Sequence, residues 1–319
     1  MPTMGEDPIA AADAGRTGPR ARQTLAVGLF AALRPRQWIE NVLVLAAPLG
    51  AGRNAVTGSI VITQPEVIGR TAIAFIVFCL AASGIHLVND ALDVAADRAH
   101  PTKRYRPIAA GVVPVNLAYA LSAVLLIAAI ALSFVASWQL AVVIAVYVGI
   151  QLAYCLGLKH EPVLDICIVS SGFLLRAVAG GVAAGITLST WFLLVMAFGS
   201  LFMAAGERYA ELQFALNAGA GIRRSLQYYT PTYLRFVWTL AATAMVVCYG
   251  LWAFEPEHDN GIWFAISVVP FTIAVLRYAV DVDGGDAGEP EEVALHSRRL
   301  RLPAGLWIVT VALAIYLKN

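Results

Sequence analysis

The sequence predicts an all-α polytopic membrane protein, and its composition, its apolar segments and the distribution of its basic residues all indicate that fold class. Of its 319 residues, 59% are hydrophobic and only 13% are charged. A soluble domain carries about 25% charged residues, so this chain has too few charges to cover a soluble surface. A soluble enzyme, a disordered chain and a disulfide scaffold are therefore excluded.

Apolar runs close to the length of a membrane span follow one another along most of the chain. A membrane-spanning helix takes about 20 apolar residues, whereas the strands of a membrane barrel alternate in segments of about 10. The unbroken runs therefore predict nine transmembrane helices, of which the first and the last are short. Their approximate limits are 38–52, 67–90, 114–135, 138–157, 163–183, 190–206, 232–254, 261–280 and 303–317.

The residues outside these runs divide unevenly between the two sides of the predicted membrane. Residues 1–22, rich in Ala, Gly, Pro and Arg, predict a disordered basic tail, and 23–319 form a single transmembrane domain. With that tail in the cytoplasm, 18 of the 22 Lys and Arg residues fall in cytoplasmic segments. This asymmetry is typical of the positive-inside rule. The polar segments that it places on the cytoplasmic face are 91–113, 157–162, 207–231 and the acidic loop 281–302.

The strongest functional signal follows the second predicted span. Asn89, Asp93 and Asp97 are spaced i, i+4 and i+8, so on a continuing helix they form one stripe with a drift of about 40° per step. Carboxylate and amide oxygens suit Mg²⁺, which takes one or two carboxylates and completes its shell with water and substrate phosphates. Asp90 points off the stripe, where it supports the ligands. The alternative is a hydrated helix end.

A basic loop comes directly after this stripe and contains Arg98, Lys103, Arg104 and Arg106. A metal ion beside a basic loop is an arrangement that grips pyrophosphate, because the metal bridges some oxygens and Lys or Arg bind the rest. The alternative is that these charges set the topology and contact anionic lipids.

A second acidic site is predicted at the end of the sixth span. Glu207 and Glu211 are again spaced i, i+4, and the topology brings them to the same membrane face as Asp93 and Asp97. Two acidic helix ends that face each other would clamp a pyrophosphate through one or two metals, or bind sugar hydroxyls. An ordinary polar loop start is the alternative.

Single polar residues in or near the spans are weaker candidates. Lys159, at the end of the fourth span, is a phosphate contact or an interfacial anchor. Arg176 lies within a span, where a cation is costly unless it faces a cavity or a partner. Arg176 is therefore predicted to bind an anionic headgroup or to orient an acidic partner. The alternative is a purely structural ion pair. Arg36 and Asn41 flank Trp38, and they face the cavity or anchor the interface.

The segment Asn89–Asp97 resembles the NDxxDxxxD motif of the UbiA superfamily of intramembrane prenyltransferases. The resemblance covers about residues 30–280 and includes the helix count. A finer similarity, to the phosphoribosyl-transferring branch of that superfamily, is carried by Arg34–Trp38, Asp97–Gly111, Leu158–His160 and Gly206–Leu212. Where other members have a DxxxD-type second motif, this chain has Tyr209-Ala210-Glu211-Leu212.

The resemblance implies a UbiA-like bundle in the cell membrane with its active-site cavity facing the cytoplasm. It implies transfer of 5-phosphoribosyl from 5-phosphoribosyl 1-pyrophosphate to decaprenyl (polyprenyl) phosphate, with Mg²⁺, or Mn²⁺ in its place, as cofactor. The product, decaprenylphosphoryl-5-phosphoribose, leads to the arabinose donor of cell-wall arabinogalactan. A homotrimer is also implied, and no nucleic-acid partner is expected.

The resemblance also assigns roles to residues of this chain. It places the metal site on Asn89, Asp93 and Asp97, the phosphate-binding loop on Lys103, Arg104 and Arg106, and the second motif on Glu207, Tyr209 and Glu211. Two places depart from the pattern. Glu40 stands where Lys is expected, which removes a phosphate contact there, and residues 293–301 match nothing in the pattern.

Two other functions remain open from the sequence. One is an aromatic prenyltransferase of the UbiA type, with a prenyl pyrophosphate donor. The variant second motif and the many cations around the site argue against it. The other is a transporter for an anionic solute. Transporters place charged sites near the midplane of repeated halves, whereas these acidic residues gather at one face.

Overall fold

The computed structural model describes residues 24–52, 58–100, 102–218, 225–254, 261–284 and 298–317, and the elements in those ranges are helices. The predicted tail 1–22 and most of the acidic loop 281–302 lie outside the described residues. The α-helices in chain order are α1 Leu25–Ala32, α2 Ala46–Gly50, α3 Pro65–Leu92, α4 Val94–Ala99, α5 Val115–Ala136, α6 Trp138–Leu156, α7 Leu164–Ala184, α8 Thr190–Ala218, α9 Pro231–Ala253, α10 Gly261–Asp283 and α11 Arg298–Tyr316. The 3₁₀ helices are Pro35–Leu45, Val61–Thr63, Lys103–Tyr105, Leu158–His160 and Ser225–Tyr228.

Eight of these helices, α3 and α5 to α11, are long and apolar enough to cross a membrane. They coincide with the second to ninth predicted spans. The prediction of an all-α, multi-pass membrane protein is therefore confirmed. Helix α8 continues to Ala218, past the predicted end at 206, so Glu207 and Glu211 lie on a helix rather than at the start of a loop.

The first predicted span, 38–52, is not a single α-helix. It consists of the 3₁₀ helix Pro35–Leu45, which runs directly into α2. At about 2.0 Å per 3₁₀ residue and 1.5 Å per α residue, the two pieces together are about 30 Å long, which matches the thickness of the hydrocarbon core. The nine predicted helices are thus eight long α-helices and one mixed segment, a distinction that apolar content alone does not make.

One face of this mixed segment is packed against the rest of the protein, while Ile39, Val42 and Leu49 on it are exposed. Asn41 and Val44 are fully buried. Gly180 of α7 permits the close approach, because a side chain there would collide with the Val44 carbonyl oxygen. Backbone that departs from α-helical geometry at membrane depth is tolerated where protein covers it.

Local sequence explains where several helices begin. The Ser137 hydroxyl accepts a hydrogen bond from the Leu140 amide (3.1 Å) and caps α6. Thr230 caps α9 through the Tyr233 amide (3.1 Å), and Pro231 occupies the first helical position. Ser and Thr are favoured N-caps, and Pro at the first position costs no hydrogen bond. These caps fix where α6 and α9 begin.

The apolar core has two main parts. Helices α3, α5, α6 and α7 enclose one part, which contains Phe78, Ile144 and Tyr147. Helices α8 to α11 enclose the other, which contains Phe202 and Phe271. The two halves meet where α7 packs against α8. The end of α3 and the end of α8 therefore belong to different halves, and the polar contacts below join them at one end of the bundle.

Candidate functional site

Asn89, Asp93 and Asp97 keep the predicted i, i+4 spacing although the helix is interrupted between them. Helix α3 ends at Leu92 and α4 begins at Val94. Even so, the Asp93 amide donates to the Asn89 carbonyl (3.0 Å), and the Asp97 amide donates to the Asp93 carbonyl (2.8 Å). These bonds keep the i, i+4 spacing, and with it the common face. We call Asn89, Asp90, Asp93 and Asp97 the first acidic cluster.

Lys159 binds this cluster from the short connection between α6 and α7. Its Nζ lies 2.5 and 2.7 Å from the two carboxylate oxygens of Asp93 and 3.4 Å from the Asn89 side-chain oxygen. Lys159 is 8% exposed, while the Asp93 side chain is 31% exposed. The lysine is therefore held from within the protein, and the carboxylate remains reachable by a ligand.

Two arginines bind the remaining carboxylates. Arg106, from the predicted basic loop, donates to Asp97 (2.8 Å) and to Asp90 (3.1 Å). Arg34, which precedes the first 3₁₀ helix, donates to the same Asp90 oxygen (2.6 Å). Asp90 and Asp97 are both buried. Three carboxylates thus face three cations from three separate segments, so the first acidic cluster and its three cations together are formally neutral.

The oxygen donors of the first acidic cluster fit a hard divalent cation. Asn89, Asp93 and Asp97 offer amide and carboxylate oxygens on one face, which is the ligand chemistry of Mg²⁺. Within the described parts of the chain, no three His, Cys, Asp or Glu side chains form a ready-made metal site. The cluster therefore provides two carboxylates and one amide, and a ligand shell there needs oxygens from the substrate.

The other predicted residues of the basic loop form a turn beside the cluster. The amides of Thr102 and Lys103 both donate to Nδ1 of His100 (3.3 Å each). Arg104 is exposed and donates to the Tyr105 hydroxyl (2.7 Å). Burial, together with the nearby charge of Lys103, lowers the pKa of His100 below its usual value of 6.5. The neutral imidazole is thus the acceptor that shapes this turn.

The second acidic site is organised around a buried arginine. Arg208, 3% exposed, donates to Glu207 and Glu211 (3.1 Å each) and to Asp165 (3.3 Å). It also approaches the Tyr154 hydroxyl (3.4 Å). We call Asp165, Glu207, Arg208 and Glu211 the second acidic cluster. Arg208 is shared by all three carboxylates, so these four residues together carry a formal charge of −2.

Asp165 connects this cluster to the segment that carries Lys159. One of its oxygens accepts a hydrogen bond from the Tyr229 hydroxyl (2.5 Å). The oxygen of that hydroxyl in turn accepts a hydrogen bond from the Val163 amide (2.5 Å). Asp165 is fully buried. Burial, and then the hydrogen bond to Asp165, raises the pKa of Tyr229, so Tyr229 remains a neutral donor.

Tyr209 is a predicted member of the second motif, and the bonds of its hydroxyl go to residues outside both clusters. Its hydroxyl donates to Asp283 (3.2 Å) and accepts from Arg235 (2.9 Å) and Gln213 (3.0 Å). The Tyr209 side chain is buried and joins α8, α9 and α10. Its predicted role in binding substrate stays a prediction.

Arg176 meets an acidic partner within the membrane-spanning region. Its guanidinium donates to the Asn41 side-chain oxygen (2.8 Å) and to Glu40 (3.0 Å). Arg176 also lies over the rings of Phe173 and Tyr147, at 5.4 and 5.7 Å from their centroids. Glu40, the departure from the family pattern, therefore neutralises Arg176. Arg36, by contrast, is exposed.

Four residues that organise the site were not among the site residues predicted from the sequence: Arg34, Asp165, Arg208 and Tyr229. Arg208 stands between Glu207 and Glu211 in the sequence, so its i, i+3 spacing to Glu211 was a signal for the pairing. Asp165 opens a helix and lies close to Lys159 in the sequence. For Arg34 and Tyr229 the sequence has no such signal, since their partners are 56 and 64 residues away.

The chain is similar to known proteins over most of its length. A family model described as "UbiA prenyltransferase family" matches residues 25–315. The decaprenyl-phosphate phosphoribosyltransferase of Mycolicibacterium smegmatis is 61% identical over 303 residues, which cover 92% of this chain and 94% of the relative. The enzyme of that name from Mycobacterium tuberculosis is 60% identical, over 91% of this chain and 95% of its own.

Among solved structures, a UbiA homolog from Archaeoglobus fulgidus bound to DMAPP and Mg²⁺ has a TM-score of 0.67 to this chain. The match covers 90% of this chain and 98% of the homolog, at 15% sequence identity. At that identity the likeness concerns the fold alone.

Proposed function

The chain belongs to the UbiA prenyltransferase family, and from this we propose that it transfers 5-phosphoribosyl from 5-phosphoribosyl 1-pyrophosphate to decaprenyl phosphate. Relatives about 60% identical over more than nine-tenths of both chains bear the name decaprenyl-phosphate phosphoribosyltransferase. The observation that carries the proposal is the first acidic cluster. Its carboxylates are held by three cations that are able to bind phosphate oxygens instead.

In this proposal, Asn89, Asp93 and Asp97 hold Mg²⁺, or Mn²⁺ in its place. The bound cation supplies charge stabilisation to the pyrophosphate as it leaves C1 of ribose. Lys159 and Arg106 are the residues placed to exchange carboxylate for phosphate oxygens, since each already bonds a cluster member. Lys103 and Arg104, in the adjoining turn, supply further positive charge for the donor.

The acceptor supplies its own nucleophile. A phosphate monoester is already anionic near neutral pH, so its oxygen attacks C1 without a strong general base. Charge builds on the leaving oxygens as that bond breaks, so preorganised cations stabilise the transition state more than the ground state. A single displacement inverts the configuration at C1. A product that retains the donor's configuration would contradict this scheme.

The membrane supplies the acceptor and sets the orientation of the site. We place the two clusters at the cytoplasmic face of the cell membrane, because 18 of the 22 basic residues gather on that predicted side. There, a water-soluble donor reaches the site from the cytoplasm, and the long prenyl chain stays in the lipid bilayer. The family resemblance also favours a homotrimer, which the mass of the detergent-solubilised protein tests.

One assay tests the reaction. Purified protein is incubated with Mg²⁺, ribose-labelled 5-phosphoribosyl 1-pyrophosphate and a polyprenyl phosphate, and the lipid fraction is counted. We expect label in the lipid that requires the metal and the acceptor. Parallel arms use geranyl pyrophosphate with an aromatic acceptor, and sealed vesicles without acceptor. Prenylation in the first arm, or uptake in the second, with no labelled lipid would contradict the proposal.

A further inference from the structure

The connection that carries Lys159 ends in a strained residue. Helix α6 ends at Leu156, the 3₁₀ helix Leu158–His160 follows, and α7 begins at Leu164. Val163, just before α7, has φ 70° and ψ −48°. A β-branched residue at positive φ is a genuine outlier, and such strain persists only where the surroundings hold it. Something must therefore fix the end of this connection.

Tyr229 is the group that fixes it. Its hydroxyl oxygen accepts the Val163 amide, and the hydroxyl donates to the buried carboxylate of Asp165. The same Asp165 oxygen accepts the Ile166 amide (2.8 Å), and the other oxygen accepts from Arg208 (3.3 Å). With both oxygens engaged, Asp165 cannot turn away from Tyr229. The strained amide is thus anchored to the second acidic cluster.

We infer that Tyr229, supported by Asp165, is a positioning residue that sets Lys159 against Asp93. The hydroxyl holds the Val163 end of the six-residue stretch 158–163, and Lys159 lies near its other end. This inference rests on the proposed function for its kinetic consequences only. The contact itself joins the first acidic cluster to the second, because Asp165 and Arg208 belong to the second and Lys159 bonds the first.

The test uses Tyr229→Phe, which keeps the ring and removes only the hydroxyl. Tyr228→Phe is the matched control, since Tyr228 is the preceding residue, at the end of the 3₁₀ helix Ser225–Tyr228, and is 65% exposed. We expect Tyr229→Phe to lower kcat/KM for the pyrophosphate donor by about tenfold, within the range of measured couplings between neighbouring residues. Tyr228→Phe should match the wild type.

A double-mutant cycle separates positioning from a general structural effect. If Tyr229 acts through Lys159, then adding Tyr229→Phe to Lys159→Met should cause little further loss. An undiminished tenfold loss in the Lys159→Met background would overturn the inference. Asp165→Asn is the second variant. It still accepts a hydrogen bond but loses the charge that binds Arg208, so it should show the same dependence on Lys159 at a smaller size.

A second measurement does not depend on the enzymatic activity. Hydrogen–deuterium exchange of the full-length protein in detergent should be faster across residues 157–163 in Tyr229→Phe than in Tyr228→Phe. If the transfer assay fails for the wild type while this exchange difference appears, the proposed reaction is wrong and the anchoring contact stands. Unchanged exchange in this segment would refute the contact, whatever reaction the protein catalyses.

Discussion

The two acidic clusters contain the same number of carboxylates but neutralise them in different ways. In the first, Asp90, Asp93 and Asp97 face three cations that come from three different segments. In the second, three carboxylates share Arg208, which is buried, and two of them lie within three residues of it. One cluster is neutral and assembled from distant segments. The other is acidic, compact and mostly local.

This difference shows which cluster is suited to exchange ligands. A cation that comes from a separate segment outside the membrane-spanning helices is able to leave one carboxylate for a phosphate oxygen without unfolding such a helix. Arg208 has no such freedom, because it is buried on a helix and its removal would deprive the fully buried carboxylate of Asp165 of its counter-charge. We therefore expect the first cluster to be sensitive in activity and the second to be sensitive in stability.

The largest expected effect follows from changing the most exposed acid of the first cluster. Asp93→Ala should lower phosphoribosyl transfer by about 10³-fold, because it removes a metal ligand and the carboxylate that positions Lys159. The Asp93 side chain is 31% exposed, so the fold should persist. Label incorporated into the lipid measures the loss. Glu66→Ala, at an exposed ion pair with Arg70, is the matched control. Near-normal turnover of Asp93→Ala would remove the metal-site assignment.

The second cluster should respond with a loss of stability. Arg208→Met should destabilise the protein by about 3–5 kcal/mol, since it removes the cation that is bound to the buried Asp165 carboxylate. The apparent melting temperature in detergent measures this effect. Lys159→Met is the comparison from the first cluster and should melt closer to the wild type, because water reaches Asp93. If Lys159→Met melted lower than Arg208→Met, the contrast between the clusters would be wrong.

Much of the fold, and the arrangement of the first acidic cluster, could be predicted from the sequence because the signal is local. Continuous apolar runs predicted nine spans, and eight of them are long α-helices, because a membrane-spanning helix has to satisfy its own backbone hydrogen bonds. The i, i+4 spacing placed Asn89, Asp93 and Asp97 on one face. Backbone hydrogen bonds maintain that spacing through the break at Asp93.

What the sequence did not predict depends on packing between distant elements. The 3₁₀ geometry of Pro35–Leu45 requires the cover of α7, and the Gly180 contact that provides it is 136 residues from Val44. The partners of Asp90 and Asp93 were also hidden, since ion pairs across 56 and 66 residues leave no periodic pattern. Tyr229 carried no signal, because its hydroxyl contacts Val163 and Asp165, which are 66 and 64 residues away in the sequence.

An intermediate effect is expected at the ion pair between Arg176 and Glu40. Glu40→Gln and Arg176→Gln should each destabilise the protein, since each removes one charge of this ion pair at membrane depth. The double variant should recover part of the loss, with a coupling energy of about 1–3 kcal/mol. Melting temperatures of all four proteins measure it. Strictly additive losses would show that the pair contributes nothing beyond its separate members.

The smallest expected effect concerns pH and the turn beside the first cluster. The pKa of His100 is lowered in the folded protein, so the unfolded chain takes up this proton first as the pH falls. The contribution of the neutral imidazole is therefore complete above its usual value of 6.5, and it is lost as the pH falls through the lower folded value. Protonation ends acceptance from the Thr102 and Lys103 amides.

We expect this loosened turn to raise the donor KM by about threefold between pH 7.5 and pH 5.5, a small effect because His100 is partly solvated. His100→Asn provides the control, since its side-chain oxygen takes the place of Nδ1 as acceptor and does not titrate. The donor's own phosphate ionises over the same range and affects both proteins equally. The ratio of the two KM values therefore isolates the imidazole, and a ratio that stays constant with pH would exclude His100 as the group that shapes the basic loop.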